Sequence, residues 1–214
     1  MPRGSLFMEV APQVIKKRHG AYLPHWTKEG GTYAVNFRLA GSLPASVLAA
    51  WHFERENIVK TAHQMKRPLS SQERRRLARL FSEKIDHYLN AGHGACHFKI
   101  PEVAQLVSTA LGHFHNVRYV LACWCIMPNH VHIIAKPLGD NLLSKILHSW
   151  KSFTALGANK LVGRKGAFWE TEYFDHIIQD EDELEQQIRY ILDNPLKAGL
   201  ADWKWVWVNS EFRL

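Results

Sequence analysis

Hydrophobic and polar residues alternate along several short stretches of this chain, and these stretches predict strands. In TYAVNFRL the large apolar residues stand at every second position from Tyr33 to Leu39, which is the pattern of a half-buried strand. The stretch VRYVLACWCIM predicts a buried strand, PN a tight turn, and HVHIIAKP the returning strand of a hairpin. A further short strand is predicted around Tyr173 to Ile178.

Apolar residues at helical spacing predict helices between these strands. IPEVAQLVSTALGHFH precedes the hairpin, and the amphipathic LLSKILHSWKSFTALGANKL follows it. DEDELEQQIRYILDNP predicts a last helix that Asp180 caps and Pro195 ends. Two more helices are predicted in about residues 45–94, where Ser70 and Glu73 have the spacing of a capping box.

The order of these elements predicts the fold class. From Thr32 it reads strand, helices, strand, strand, helix, strand, helix, which approximates the split βαβ arrangement. We therefore expect an α+β protein with a ferredoxin-like antiparallel sheet and helices on one face. The predicted division is a basic N-terminal arm (1–31), a main domain (32–200) with a helical insertion at about 45–94, and a C-terminal extension (201–214). The tryptophans of DWKWVWV in this extension predict a packed closing strand, with a base-stacking platform as the alternative.

Composition narrows the class of protein. The chain has 214 residues, 46% hydrophobic, which suits one core with a modest insertion. A net charge of +7 and a pI near 9.4 favour a polyanionic partner such as nucleic acid. Three cysteines are an odd number, and no apolar stretch suits a signal peptide or reaches the roughly 18 residues of a membrane span. These features predict a soluble cytoplasmic protein without a membrane partner.

Two histidines one residue apart follow the predicted turn. His130 and His132 would point to the same side of a strand, about 7 Å apart along the chain, where both can reach one cation. With oxygen ligands they would suit Mg²⁺, Mn²⁺ or Zn²⁺. The hairpin turn would also place Cys123 and Cys125 on that face, so a structural zinc site is an alternative.

Two polar residues of the last predicted helix are candidate partners of the histidines. Tyr190 and Asn194 are four residues apart and therefore lie on one face, one turn from each other. A tyrosine beside a divalent cation can act as a nucleophile, and an amide oxygen is an acceptable ligand for a hard cation. The residues alone leave an ordinary packing role open for both.

Three separated motifs, in order, resemble the single-tyrosine HUH transposases, in particular their REP-associated and IS200-like branch. They are MPNHVH, FWETEYFDH and RYILDNPLKAGL. The resemblance implies the HUH endonuclease fold, with His130, His132 and Asn194 binding Mg²⁺ or Mn²⁺ and Tyr190 as the nucleophile. The implied activity is cleavage and strand transfer of single-stranded DNA near hairpins, through a 5′-phosphotyrosine intermediate.

The same resemblance implies residues that contact DNA and a set of partners. The DNA-contacting candidates are Lys151, Ser152, Arg164, Lys165, Trp169 and His176. The expected partner is single-stranded or hairpin DNA, bound by a monomer or a homodimer associated with the nucleoid. A catalytically silent protein that only binds hairpin DNA is the alternative function.

Overall fold

The computed structural model describes residues 16–19, 24–28, 30–67, 69–70, 72–73, 76–77 and 85–212. The seven strands of this part of the chain are β1 (Lys16–His19), β2 (Pro24–Thr27), β3 (Tyr33–Leu39), β4 (Tyr119–Ile126), β5 (His130–Pro137), β6 (Trp169–Ile177) and β7 (Val206–Val208). Its α-helices are α1 (Ala45–Gln64), α2 (Asp86–Asn90), α3 (Pro101–Gly112), α4 (Leu143–Leu161) and α5 (Glu181–Lys197). Two short 3₁₀ turns cover His97–Lys99 and Ser210–Phe212.

Five strands form the main sheet in the order β6-β3-β5-β4-β7, and every neighbouring pair is antiparallel. Along the chain β3, β4, β5 and β6 are the first, second, third and fourth of these strands. Across the sheet their order is fourth, first, third, second. With α3 and α4 as the connections, this is the ferredoxin-like arrangement that the element order predicted. The fold class is confirmed.

One face of the sheet is covered by α3 and α4. Alternate residues of β3 point to this face, from Tyr33 to Leu39, and so do Val131 and Ile133 of β5. They pack against Val103, Val107 and Leu111 of α3 and against Ile146, Leu147 and Trp150 of α4. This is the larger of the apolar clusters formed by the described residues, and it explains why β3 and β5 read as strands in the sequence.

The opposite face is covered by other helices, which corrects the prediction that the helices share one face. Ile188 and Ile191 of α5 pack on Cys123 and Cys125 of β4. Near the β6 edge, Phe174 packs with a small cluster formed mostly by the insertion, namely Leu43, Trp51, Ile85 and Leu89. The sequence could not separate the two faces of β4, because this strand is apolar on both.

The insertion leaves and rejoins the domain at one place. Gly94 has φ +72°, and a side chain there would collide with the backbone of Gly41 and Ser42, so the two ends of the segment lie against each other. Within the insertion, the predicted capping box is present: Ser70 N donates to Glu73, and Glu73 N donates to Ser70 Oγ at 3.1 Å. Residues 74–75 and 78–84 of the second predicted helix lie outside the described residues.

Three smaller expectations met different outcomes. The N-terminal arm contains the β1–β2 hairpin, although its sequence showed no periodicity; residues 1–15 lie outside the described part. The last helix runs through Pro195 to Lys197 rather than ending at the proline. The closing strand is confirmed, because β7 pairs with β4 and Trp203 Nε1 donates to Ile126 O at 2.6 Å.

No helix among the described residues is both long and apolar enough to cross a membrane.

Candidate metal and nucleophile site

The β4–β5 hairpin positions the histidine pair. Met127 N donates to His130 O at 2.8 Å, so Pro128 and Asn129 form the two-residue turn as predicted. Cys125 stands opposite His132 in the register, and this pairing was also predicted. Because alternate residues of β5 pack on α3 and α4, the side chains of His130 and His132 point to the face covered by α5.

The two imidazole rings form part of a continuous hydrogen-bonded chain. Their Nε2 atoms are 2.9 Å apart. His130 Nδ1 is 2.7 Å from Asn129 Oδ1, and His132 Nδ1 is 3.2 Å from the side-chain nitrogen of Asn36. An amide oxygen only accepts, so Asn129 holds the proton of His130 on Nδ1 and leaves its Nε2 as an acceptor.

Burial keeps both histidines neutral. The side chains are 0% and 5% exposed, respectively. Burial lowers the pKa of His132 to about 3 and lowers the pKa of His130 well below its usual range, with His132 adding to the second effect. Neutral imidazole is the form that binds metals.

The donor set fits a hard divalent cation. Two ligand atoms at adjacent corners of an octahedron with ligand distances of about 2.1 Å are about 3 Å apart, close to the separation of the two Nε2 atoms. Asn194 of α5 is fully buried, and neither its Oδ1 nor its Nδ2 has a hydrogen-bond partner within the described part of the chain. An amide oxygen left in this state is available as a ligand.

Helix α5 carries Tyr190 to the same face. Asp180 caps this helix, because its Oδ1 accepts from Glu183 N at 2.8 Å, and three acidic residues follow in the first turn. The Tyr190 ring lies 6.0 Å from the His132 ring, measured between centroids, at 88°. The Lys197 ammonium lies 5.0 Å from the centre of the tyrosine ring. Tyrosine, histidines and a nearby cationic side chain therefore meet at one place.

The cysteines of the zinc alternative pack as apolar residues. Cys123 and Cys125 lie in the cluster under α5. Burial raises the pKa of the Cys125 thiol to about 12 and that of Cys123 further, which disfavours the thiolate that zinc needs. Among the described residues, no group of three or more His, Cys, Asp or Glu side chains is arranged to hold a metal ion. The structure gives the zinc alternative no support.

Two of the candidate DNA contacts are engaged elsewhere in the protein. Trp169 is 6% exposed in the core beneath α3 and α4, and its Nε1 donates to Thr154 Oγ1 at 2.9 Å. Trp169 therefore packs as a core residue, and its burial gives no support to the DNA contact expected of it. Lys151 Nζ donates to the Glu170 and Thr171 carbonyl oxygens at 2.6 and 2.8 Å, and burial lowers its pKa to about 8. Its ammonium group holds the outer edge of β6.

The other four candidates have mixed positions. Ser152 and Lys165 are exposed. Arg164 contacts His97 Nε2 at 2.7 Å, in the loop that precedes α3. His176 Nε2 is 2.7 Å from Glu183 Oε1 and so ties β6 to the start of α5. Contacts of these residues with DNA stay predictions, and His176 also has a bracing role.

Sequence reasoning missed three polar residues around the histidines. Asn36 and Arg38 stand directly opposite His132 and His130 in the β3–β5 register. Asn129, in the turn, orients His130. A signal was present in the sequence: Asn36 and Arg38 alternate with the apolar residues of β3, although a polar position on a half-buried strand more often faces solvent.

Comparison with known proteins finds similarity to one family over part of the chain. Residues 102–194 match the model of the IS200-like transposase family. A curated protein of Haemophilus influenzae, provisionally named a REP-associated tyrosine transposase, is 26% identical over 98 residues. The matched region is 41% of this chain and 56% of that protein, so only about half of the relative's length is represented. The resemblance inferred from the motifs is confirmed.

Two solved structures align with most of this chain at low sequence identity. A REP-associated tyrosine transposase bound to a REP hairpin is 17% identical, with 89% of this chain and 81% of that chain covered and a TM-score of 0.43. A transposase, provisionally so named, from Deinococcus radiodurans R1 is 11% identical, with 87% and 97% covered and a TM-score of 0.30.

Proposed function

We propose that this chain, which resembles the IS200-like transposase family over residues 102–194, is a metal-dependent single-stranded DNA endonuclease and strand transferase that acts near hairpins. The observation that carries the proposal is the convergence of two neutral imidazoles, 2.9 Å apart, with Tyr190 on the same sheet face. The curated relative is provisionally named a REP-associated tyrosine transposase, which is consistent with DNA as the partner.

The residues of the site would divide the reaction between them. His130, His132 and Asn194 would hold Mg²⁺ or Mn²⁺, which when bound supplies positive charge against the nonbridging oxygens of a phosphodiester. The phenolic oxygen of Tyr190 forms a bond to phosphorus while the bond from phosphorus to the 3′ oxygen breaks. One fragment is then linked to the tyrosine through its 5′ phosphate, and the other leaves with a free 3′-OH.

The other residues of the face prepare these groups for their roles. Asn129 accepts a hydrogen bond from His130 Nδ1 and so leaves the Nε2 atom of that ring free for a metal, while the Asn36 side chain contacts His132 Nδ1 and holds the second ring in place. The phosphotyrosine retains the energy of the phosphodiester, so a 3′-OH from another strand can reverse the step and complete strand transfer. This reverse step needs no nucleotide cofactor.

The test is formation of a covalent adduct. Hairpin oligonucleotides with single-stranded flanks, labelled at the 3′ end, are incubated with the protein and Mg²⁺ or Mn²⁺ and separated on a denaturing protein gel. The 3′ label stays on the fragment that joins the tyrosine, so a labelled protein band is expected. Tyr190→Phe should lower adduct formation by at least about 10⁴-fold, because it removes the nucleophile. Tyr88→Phe, on α2, is the matched control and should form the adduct normally.

A second function has one observation in its favour. His130 and His132 are 0% and 5% exposed, so the metal site is enclosed and a scissile phosphate cannot reach it without movement of the covering elements. A protein that binds hairpin DNA without cutting it would tolerate this enclosure. Tight binding of the same oligonucleotides, with no adduct in either metal, would favour this function over cleavage.

A further inference from the structure

Two buried arginines lie on the same sheet face as the histidine pair. Arg38 of β3 stands directly opposite His130, and residues opposite each other in antiparallel strands share a face. Arg55 comes from α1, in the helical insertion. They are 9% and 8% exposed, and an arginine is seldom buried to this extent unless it is paired.

The two guanidinium groups lie in one electrostatic environment. Burial lowers the pKa of Arg38 and of Arg55, and the Glu172 carboxylate partly offsets this effect for both. His52 of α1 is affected by both arginines, since their positive charges, together with its burial, lower its pKa. Arginine remains charged even when buried, so two positive charges persist around Glu172 and His52.

Protein carboxylates satisfy these guanidinium groups only in part. The closest approach of Arg38 to Glu170 is 3.4 Å, between Nη2 and Oε2, although a guanidinium group carries five N–H donors. The Nε atoms of Arg38 and Arg55 are buried and have no hydrogen-bond partner among the residues that the structure describes. Each unmet donor costs stability, so the arrangement suits an additional acceptor.

We propose that Arg38 and Arg55 form a subsite for a backbone phosphate of the DNA strand, beside the phosphate that the histidine face would cleave. The planar guanidinium fork matches two phosphate oxygens, and Arg38 has His130 as its cross-strand neighbour. The subsite rests on the proposed function for its substrate. It also gives the insertion a role: the ferredoxin-like core supplies Arg38, and α1 of the insertion supplies Arg55, the second arginine of the subsite.

The experiment measures DNA binding rather than cleavage. A fluorescent 20-nucleotide oligothymidylate is titrated with Tyr190→Phe protein, which cannot react, and the affinity is followed by anisotropy at several KCl concentrations without divalent metal. Adding Arg38→Met or Arg55→Met should weaken binding about tenfold or more, as expected when a charged hydrogen bond is lost. The slope of log affinity against log salt should fall by about 0.7 for each lost phosphate contact to a single strand.

A matched variant controls for the loss of net charge. Arg76 belongs to the same insertion, is mostly exposed and pairs loosely with Glu54 at 3.6 Å. Arg76→Met removes the same charge and should leave the salt slope unchanged. An equal loss in Arg76→Met and Arg38→Met would overturn the subsite, because it would reduce the effect to overall charge.

A second variant separates phosphate binding from a structural ion pair. Arg38→Met leaves Glu170 without its partner, so Arg38→Met with Glu170→Gln is measured beside it, with thermal unfolding as the check on folding. Weak binding by the folded double variant supports the subsite, whereas recovery of binding overturns it. If neither Arg38 variant folds, the DNA affinity of Arg55→Met decides: weak binding supports the subsite, and normal binding overturns it.

The adduct assay distinguishes failure of the subsite from failure of the proposed function. If the otherwise unmodified chain forms the tyrosine adduct while Arg38→Met and Arg55→Met bind DNA normally, the subsite is wrong and the function stands. If no adduct forms but both variants lose affinity and salt slope, the arginines bind phosphate in a protein that does not cleave. The second result supports the subsite alone.

Discussion

The two faces of the central sheet are built from the same strands and serve different purposes. On the face under α3 and α4, Phe37, Val131 and Ile133 are apolar and packed. On the other face the cross-strand pairs are Asn36 with His132 and Arg38 with His130. Side chains alternate along a strand, so every second residue packs in the apolar core and stabilises the fold. The residues between them place buried polar groups on the other face, and these groups cost stability. The contrast predicts opposite responses to substitution.

The largest effect is expected on the apolar face. Phe37→Ala should lower the free energy of unfolding by about 3 to 5 kcal/mol, since the ring is fully buried and its removal leaves a cavity. Urea denaturation measures this as a lower midpoint at constant slope. Phe153→Ala, on the exposed side of α4, is the matched control and should change stability by less than about 0.5 kcal/mol. Equal losses in the two variants would contradict the assignment of this face as the core.

The polar face should respond in the opposite direction. Asn194→Leu should stabilise the metal-free protein by about 1 to 3 kcal/mol, because it removes two buried polar atoms that lack partners among the described residues. The same variant should lose the metal-dependent tyrosine adduct. Unfolding in the presence of a chelator, together with the adduct gel, checks both results.

A second asparagine provides the control for Asn194. Asn209 donates to Leu121 O, and its Oδ1 accepts from Glu211 N, so its polar atoms are used. Asn209→Leu should therefore destabilise the protein. If Asn194→Leu also loses stability, the Asn194 side-chain amide makes stabilising contacts within the fold. The two sheet faces would then respond to substitution in the same direction at this position.

A smaller effect tests a polar link inside the apolar face. Thr154 Oγ1 donates to Trp150 O and accepts from Trp169 Nε1, so Thr154→Val leaves a buried indole donor unpaired. A loss of about 1 to 2 kcal/mol is expected in the same denaturation experiment. Thr61→Val removes a similar bond from an exposed helix position and should cost less than about 0.5 kcal/mol. Thr154→Val with no effect would place Trp169 outside the core.

The smallest effect concerns the link between β6 and α5. Glu183 bonds His176 Nε2, and this bond lowers the pKa of Glu183. A depressed carboxyl pKa stabilises the fold above the unfolded-state value of about 4.5, and the contribution disappears as pH falls through the folded-state pKa. Glu183→Gln should cost about 0.5 to 1 kcal/mol near neutral pH, and the difference should shrink below about pH 4.5.

An exposed glutamate on the same helix is the comparison for Glu183. Glu185 lies 3.9 Å from Arg189 on the outer side of α5. Glu185→Gln should therefore change stability less than Glu183→Gln at every pH. The bracing role of His176 fails if the two variants have the same pH profile.

The sequence by itself determined the strands, the connecting helices and the histidine hairpin. These follow from periods of two and 3.6 residues and from local turn and capping chemistry, all of which act over a few neighbouring residues. The Pro128–Asn129 turn, the Asp180 cap and the capping box at Ser70 were predictable for this reason. Tyr190 and Asn194 could be placed on one helix face, and the motif resemblance linked them to the histidines.

Only the tertiary structure decided which face each element covers and which polar groups meet. Trp169 and Lys151 looked available for DNA, but packing across the sheet edge buried the ring and tied the ammonium group to β6 carbonyls. Arg38 and Arg55 are 17 residues apart on different elements, and no local period relates them. Arg38 stands opposite His130 because of strand register, and Arg55 shares its surroundings because of how the insertion folds back. Contacts between distant segments are fixed by packing and leave no spacing signal in the chain.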